Sequence, residues 1–224
     1  MIGRGVATLL AVSMVGVLAL GPEASRAALA QEDERIDRAA QVLGRFLSDP
    51  GNAGMREALK RARAVLVVPS YVRAGFVIGG TGGGGVMLVR KPEGGGWNGP
   101  AFYDTAAGTL GPQLGVYKTE LVMLFMSERS VERALAGEMQ FGADASVAAG
   151  PVGAGEKGPW ADIYTYVKPV GAYAGVSVSS GAVEPDRGEN EEFYGRGATA
   201  RGILVDGRYN DAKGEKLRRL LTPY

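Results

Sequence analysis

From Ala64 to about Val205 the chain is a series of short apolar, β-branched segments separated by glycine, a pattern that a sheet with tight turns accommodates and a helical fold does not. The segments AVLVVP, AGFVIGGTGGGGVML, GGWNGPAFY, GTLGPQLG, FGADASVAAGPVG, YTYVKPVGAYAGVSVSSGAV and NEEFYG follow one another in that order. The 36 glycines in 224 residues are about twice the usual share of roughly 7 %. They are dispersed among β-branched and aromatic residues, so they read as turns and bulges rather than low complexity.

The nearly unbroken apolar run Ala64–Pro69 predicts a strand buried on both faces. The segments GFVIG and VMLVR, on either side of Gly79–Gly85, predict a hairpin whose long, flexible turn is the glycine run. Further strands are expected at Pro100–Tyr103, Gln113–Tyr117, Leu121–Phe125, Ala145–Ala149, Asp162–Lys168, Ala172–Ser179 and Gly202–Val205. One central helix is expected at Glu128–Gly137, with Ser127 as N-cap and Gly137 as terminator. The stretch Arg187–Glu192 and the tail Asn210–Arg219 read as polar and exposed.

Ahead of the strands the period is helical. Ile36, Ala39, Ala40, Leu43, Phe46 and Leu47 recur at spacings of three and four within Gln31–Leu47, and Glu34 and Arg38 fall one turn apart on the polar face. Ser48-Asp49-Pro50-Gly51-Asn52 breaks this helix, and a second runs from Ala53 to Arg63 with Asn52 as cap. Its apolar stripe is Met55, Ala58, Leu59 and Ala62. Beside it stands a cationic ridge of Arg56, Lys60 and Arg63, to which Arg61 and Arg73 add. No fixed-period repeat and no interdomain linker appears. The reading is a single α+β domain: a curved, mainly antiparallel, glycine-rich sheet with N-terminal amphipathic helices and one central helix.

The first thirty residues read as an export segment; the alternative, an uncleaved membrane anchor, is disfavoured because the apolar run is shorter than the roughly 20 residues a spanning helix needs. Arg4 supplies a positive start and Val6–Leu20 an apolar stretch. Ala28-Leu29-Ala30 supplies small residues at the cleavage positions, and Ser25-Arg26-Ala27 is a second cleavage point. Without cysteine the mature form is no lipoprotein, and a periplasmic or secreted location is expected. The organisation is then 1–30 signal peptide, 31–63 N-terminal helical region and 64–224 β-rich core with a polar tail. Removing Arg4, Arg26 and Glu23 leaves 23 basic and 23 acidic residues, a neutral chain unlike a general nucleic-acid binder.

The chain has no Cys and no His, which excludes catalytic groups and zinc sites built on imidazole or thiolate. Gly80-Thr81-Gly82-Gly83-Gly84-Gly85 satisfies the dinucleotide fingerprint by letter. That fingerprint needs a helix after it to hold pyrophosphate, whereas here a strand follows, and no Lys-Ser or Lys-Thr succeeds the glycines. The acidic set Glu184, Asp186, Glu189, Glu191 and Glu192 lacks the calcium-loop pattern and reads as a solvated loop; paired carboxylates of a hydrolase remain a distant alternative. Neither Gly-x-Ser-x-Gly nor Ser-x-x-Lys occurs. No catalytic residue, metal ligand or cofactor is expected. The aromatics fill the core or cover glycines, although Trp97 and Trp160, each in a Gly/Pro loop, could instead sit at a membrane interface.

The ordered set of an apolar strand, a glycine hairpin, Trp97 with Pro100 three residues on, Gly111-x-Gln113-x-Gly115, an alanine-rich strand ending in Gly150-Pro151, a Tyr strand and Asn190 before Phe193-Tyr194-Gly195 resembles the SYLF family, over about two thirds of the chain. That family is known in fungi and animals as a lipid-binding and actin-binding module. The resemblance implies a non-enzymatic domain that meets anionic phospholipid or phosphoinositide-like surfaces through its N-terminal amphipathic, basic region, here Gln31–Arg63. Trp97-Asn98-Gly99-Pro100 stands where eukaryotic members carry Trp-Ser-x-Pro, and Tyr166-Val167 where they carry Tyr-Ser. Actin is not expected as a partner of an exported chain. The candidate lipid-binding residues are Arg56, Lys60, Arg61, Arg63 and Arg73 with Met55, Leu59 and Trp97; the alternative is a protein-binding or self-assembling envelope scaffold using the same ridges.

Because the glycine run lacks the phosphate-holding context, ATP, NAD and FAD are expected not to bind. Isothermal calorimetry showing saturable binding that is lost on replacing Gly82 and Gly83 by Ala would overturn this.

Overall fold

A computed structural model describes residues 22–75, 78–92, 94–110, 115–141, 147–150, 161–170, 181–209 and 211–224. In chain order the described residues form α1 (Pro22–Ser48), α2 (Ala53–Leu59), β1 (Ala64–Gly75), β2 (Ile78–Arg90), β3 (Trp97–Leu110), β4 (Gly115–Phe125), α3 (Glu128–Ala136), β5 (Met139–Phe141), β6 (Val147–Ala149), β7 (Ile163–Val170), β8 (Gly181–Pro185), α4 (Arg187–Tyr194), α5 (Ala200–Leu204) and α6 (Glu215–Leu221). The strands make one sheet in the order β5-β8-β3-β2-β1-β4-β7-β6, antiparallel throughout except for the parallel β6–β7 pair.

Both faces of this sheet are covered, as the unbroken apolar run of β1 requires. Val65, Val67, Val86, Leu88, Val122 and Leu124 join one core with α1, α2 and α6, whereas Leu66, Val68, Met87, Leu121, Met123 and Phe125 join a second core with α3 and α5. The period-2 alternation of each strand thus feeds two separate apolar layers. Helix α1 contributes Ile36, Ala39, Ala40, Leu43 and Phe46 to the first, the stripe its spacing predicts. Helix α3 begins and ends as its sequence dictates. Ser127 Oγ accepts from Ser130 N at 3.2 Å, and Gly137 closes the helix at φ 72°.

The glycine run is strand, not turn. Gly79–Gly85 pair with β3 and Gly79–Gly82 with β1 as well, whereas residues 76–77, between β1 and β2, lie outside the described set. Close packing explains the composition: a Cβ on Gly82 would lie 2.9 Å from Thr105 O and one on Gly85 2.7 Å from Val67 O. At Gly83 it would fall closer still, onto Ser70 O at the bulge of β1, and at Gly84 it would meet the Arg35 guanidinium.

Three further expectations are corrected at the C-terminal end. Gly202–Val205 is not a strand: Thr199 Oγ1 accepts from Gly202 N at 3.1 Å and starts α5, which buries Ile203 and Leu204 against the sheet. Arg187–Glu192 is not a loop. Asp186 caps α4 by accepting from Glu189 N at 2.9 Å, and the buried Asn190 side chain exchanges two hydrogen bonds of 2.9 Å with the backbone of Phe102 in β3. The tail is likewise no free end, because α6 buries Leu217 and Leu221 in the first core. The strand expected at Ala172–Ser179 lies outside the described residues.

Two glycines separate packing from propensity. Gly83→Ala should lower the urea midpoint by roughly 1–3 kcal/mol of stability through overpacking. Gly44→Ala, in α1 with nothing within 4 Å of a new Cβ, should raise it by up to about 1 kcal/mol. Equal effects at the two sites would contradict the packed-strand account.

Candidate functional site

A helix that stops against a sheet leaves carbonyl groups needing donors. At the end of α2 they are met from β2: Arg90 donates from Nη2 to Leu59 O at 2.8 Å, from Nε to Ala62 O at 2.9 Å and from Nη1 to Tyr224 O at 3.1 Å. Its guanidinium lies over the Trp97 ring, 4.4 Å from the centroid. Trp97 Nε1 donates to Leu221 O at 3.2 Å, which ties α6 to the same point. Here the backbone pairs Arg90 N with Arg63 O at 2.8 Å and Arg63 N with Phe125 O at 2.7 Å. The segment after α2 is therefore pinned to the end of β1 and β2, and Lys60, Arg61, Arg63 and Lys91 are exposed there.

These cations are weakly engaged. Lys60 pairs with Glu57 at 2.7 Å and Arg63 with Glu128 at 3.5 Å, every partner being more than half exposed. The Lys60 hydrogen bond holds the Glu57 carboxyl below its ordinary range. Exposed pairs of this kind contribute little and exchange readily for other anions.

The structure brings together Lys60, Arg61 and Arg63 from the expected set and separates the others. Met55 and Leu59 are each 0 % exposed, inside the first core. The apolar stripe of α2 faces the sheet, so neither side chain is presented to a bilayer. Arg56 caps α1, donating to Leu47 O at 3.0 Å and Asp49 O at 2.7 Å. Trp97 is 3 % exposed and is a core residue, not a loop residue at an interface. Arg73 sits in β1 opposite Thr81 and Tyr117, ten residues of strand or roughly 30 Å from Arg63. Sequence reasoning missed Arg90, which closes the VMLVR strand, and Lys91 just after it. Their position next to Arg63 follows only from the Ala64–Val89 pairing.

A second cationic feature was also not named. Arg35 and Arg38 of α1, with Pro69, Ser70 and Gly84, line a cleft of about 250 Å³ over the bulge of β1. Arg35 is bound to Glu189 of α4, and Arg38 meets Glu34 at 3.6 Å, the one-turn pair the sequence places on this face. The acidic residues of α4 are absorbed structurally. Asp186 is the cap, Glu189 holds Arg35, and Glu191 Oε1 accepts from Gly197 N at 3.2 Å. Burial raises the Glu189 carboxyl despite Arg35. Among the described residues no group of three or more acidic side chains is placed to hold a metal ion. Nor is any described helix long and apolar enough to cross a membrane.

Comparison with known proteins places this arrangement. Residues 106–224 match the family model described as Ysc84, Las17-binding protein actin regulator. Protein YSC84 of Saccharomyces cerevisiae is 31% identical over 180 residues, 75% of this chain and 38% of that protein. LAS seventeen-binding protein 3 of the same yeast is 30% identical over 180 residues, 75% of this chain and 39% of that protein. SH3 domain-containing YSC84-like protein 1 of Bos taurus is 28% identical over 198 residues, 84% of this chain and 58% of that protein. The chain thus spans between about two fifths and three fifths of the length of these relatives. No solved structure matches it.

The assignment of the α2 stripe to the core has a direct check. Leu59→Ala should cost about 2–5 kcal/mol in urea unfolding, whereas Lys60→Gln, one residue on, should stay within about 0.5 kcal/mol. A Leu59→Ala protein as stable as the parent would place that side chain outside the core.

Proposed function

This chain belongs to the Ysc84 (SYLF) family, and from that premise we propose that it is a non-enzymatic binding module that docks the cationic end of its sheet on anionic lipid. The observation that carries the reading is the gathering of Lys60, Arg61, Arg63 and Lys91, exposed and loosely paired, at the α2 end pinned by Arg90. With Met55 and Leu59 in the core, the attraction is electrostatic rather than insertive. Each cation near an anionic surface contributes about 1 kcal/mol, and the field decays over roughly 8 Å at physiological ionic strength. The export segment read in residues 1–30 would put this contact in the periplasm or outside the cell, where actin is not a partner.

A second reading follows from the relatives: one yeast protein similar to this chain is named LAS seventeen-binding protein 3, and the matching family model is described as Las17-binding protein actin regulator. An acidic protein surface would then take the place of the bilayer, or a second copy of the chain would use the same cations in an envelope scaffold.

Replacing Lys60, Arg61 and Arg63 together by Gln should weaken sedimentation with phosphatidylglycerol liposomes on the order of a hundredfold while circular dichroism stays unchanged. Raising salt should reproduce the loss in the parent protein. If the folded triple variant still sediments like the parent at low salt, the lipid reading is wrong. Concentration-dependent oligomers without lipid affinity would favour the scaffold.

A further inference from the structure

Glu32 of α1 is 2 % exposed, and neither of its carboxylate oxygens has a hydrogen-bond partner. Asp33 Oδ1 is also buried and unbonded, while Oδ2 of the same residue pairs with Lys213. The charges acting on Glu32 are Glu189 and Glu192 of α4 and Arg35 and Asp33 of its own helix. The two nearby cations are engaged elsewhere: Arg35 binds Glu189, and Lys213 binds Asp33 and lies 5.6 Å from the centre of the Phe193 ring. Glu32 therefore faces three carboxylates with no cation of its own. Burial, then Glu192 and Glu189, raise its pKa to about 7. A buried, unbonded carboxylate is costly in either protonation state.

Such an orphan calls for a donor, and the sequence places one a residue away. Helix α1 runs unbroken through Ala30 and Gln31, so backbone N–H groups of the following turn are held by carbonyls of the preceding one. Ala30 and Gln31 are both exposed, and Ala28-Leu29-Ala30 is the cleavage pattern of the export segment. We infer that hydrolysis of the Ala30–Gln31 bond completes this corner of the fold, the new Gln31 α-ammonium and the N–H groups freed in the first turn becoming the partners of Glu32.

The step balances with water alone, in the hands of a signal-peptidase-type protease. Water adds across the amide; Ala30 leaves with the new carboxylate, and Gln31 retains the nitrogen as an amine that is largely protonated below about pH 7.7. The first turn of the shortened helix then carries about half a positive charge from its free N–H groups, in addition to the ammonium. An opposite charge within 4–6 Å lowers a carboxyl by roughly one to three pH units. The shortened chain also gains a helix that begins Gln31-Glu32-Asp33-Glu34, with three acids in its first turn.

The sign of the pH dependence distinguishes the two forms. In the uncut chain the folded pKa of about 7 exceeds the ordinary 4.5, so the folded state holds a proton that the unfolded chain has lost. Its stability falls as pH rises from about 4.5 through 7. In the cut chain that loss is reduced or absent.

The test uses the exported protein itself. Mass spectrometry should find Gln31 at the N-terminus with its amine free. Carbon-13 NMR should show Glu32 titrating at least about one unit below 7, and treatment with glutaminyl cyclase, which turns Gln31 into a neutral pyroglutamyl group, should move it up again by about one unit. Glu32→Gln in the mature protein should abolish any response of the unfolding midpoint to cyclisation. A terminus other than Gln31, a terminus already cyclised in the exported protein, or a Glu32 titration that cyclisation leaves in place overturns the inference. None of these readouts involves lipid, so the outcome is independent of the docking surface proposed above.

Discussion

One guanidinium organises the end of the molecule on which the functional reading rests. The carbonyls closing α2 and that of Tyr224 meet at the end of β1 and β2, where Leu59 O has one backbone donor, Ala62 N at 3.2 Å, and Arg90 supplies further donors to Leu59, Ala62 and Tyr224 at once. Arginine suits this position because its planar fork bonds several acceptors in one plane while its face stacks on Trp97. A lysine could carry the charge but not the geometry. With α2, β2, β3 and Tyr224 joined there, Ala62 turns into the core and Lys60, Arg61 and Arg63 are left without room to withdraw into it. Their exposure is a consequence of how the helix is capped.

The two-faced burial of the sheet is the part of the fold most legible in the chain. A run such as Val65-Leu66-Val67-Val68 contains no residue that could face water, so helices must lie on both sides. Both the α1 stripe and the α3 caps are local signals, and they match the structure at Ile36–Phe46 and at Ser127 and Gly137. Seven consecutive glycine-rich positions misled because glycine is permissive in turns and equally necessary where strands approach too closely for a Cβ. Only the neighbours Ser70, Thr105 and Arg35, remote in sequence, distinguish the two cases. Ile203-Leu204 reads as strand because a short apolar run has no period of its own, and the Thr199 cap decides in favour of helix. Helix α4 was hidden for the opposite reason. Its one fully buried residue is Asn190, whose amide closes the backbone of β3, and its apolar contacts, Phe193 and Tyr194, are adjacent at its end rather than spaced along it, so it shows little apolar periodicity.

The same ambiguity governs the site. A helix with a greasy stripe beside a basic ridge reads identically whether the stripe meets a bilayer or a sheet, and α2 meets a sheet. Lys60, Arg61 and Arg63 survive as candidates because their exposure does not depend on the stripe. Arg56, at the same spacing, is diverted by the carbonyls at the end of α1. Lys91 could not have been found by spacing along one helix, since it belongs to another element brought alongside by the register of β1 and β2.

Near-neutrality does not argue against an electrostatic surface, because the bases at the end of β1 and β2 are only loosely paired with the acids beside them. The acids Glu32, Asp33, Glu189 and Glu192 gather where α1 meets α4, and the loosely paired bases gather at the end of β1 and β2. An anionic bilayer senses charge within roughly 8 Å of itself at physiological salt, so acids beyond that distance do not cancel bases in contact with it. Pairing weakens the opposing field further, since Arg35 neutralises Glu189 and Lys213 neutralises Asp33. Local arrangement, more than the sum of charges, therefore sets which surface this fold can approach and by which end.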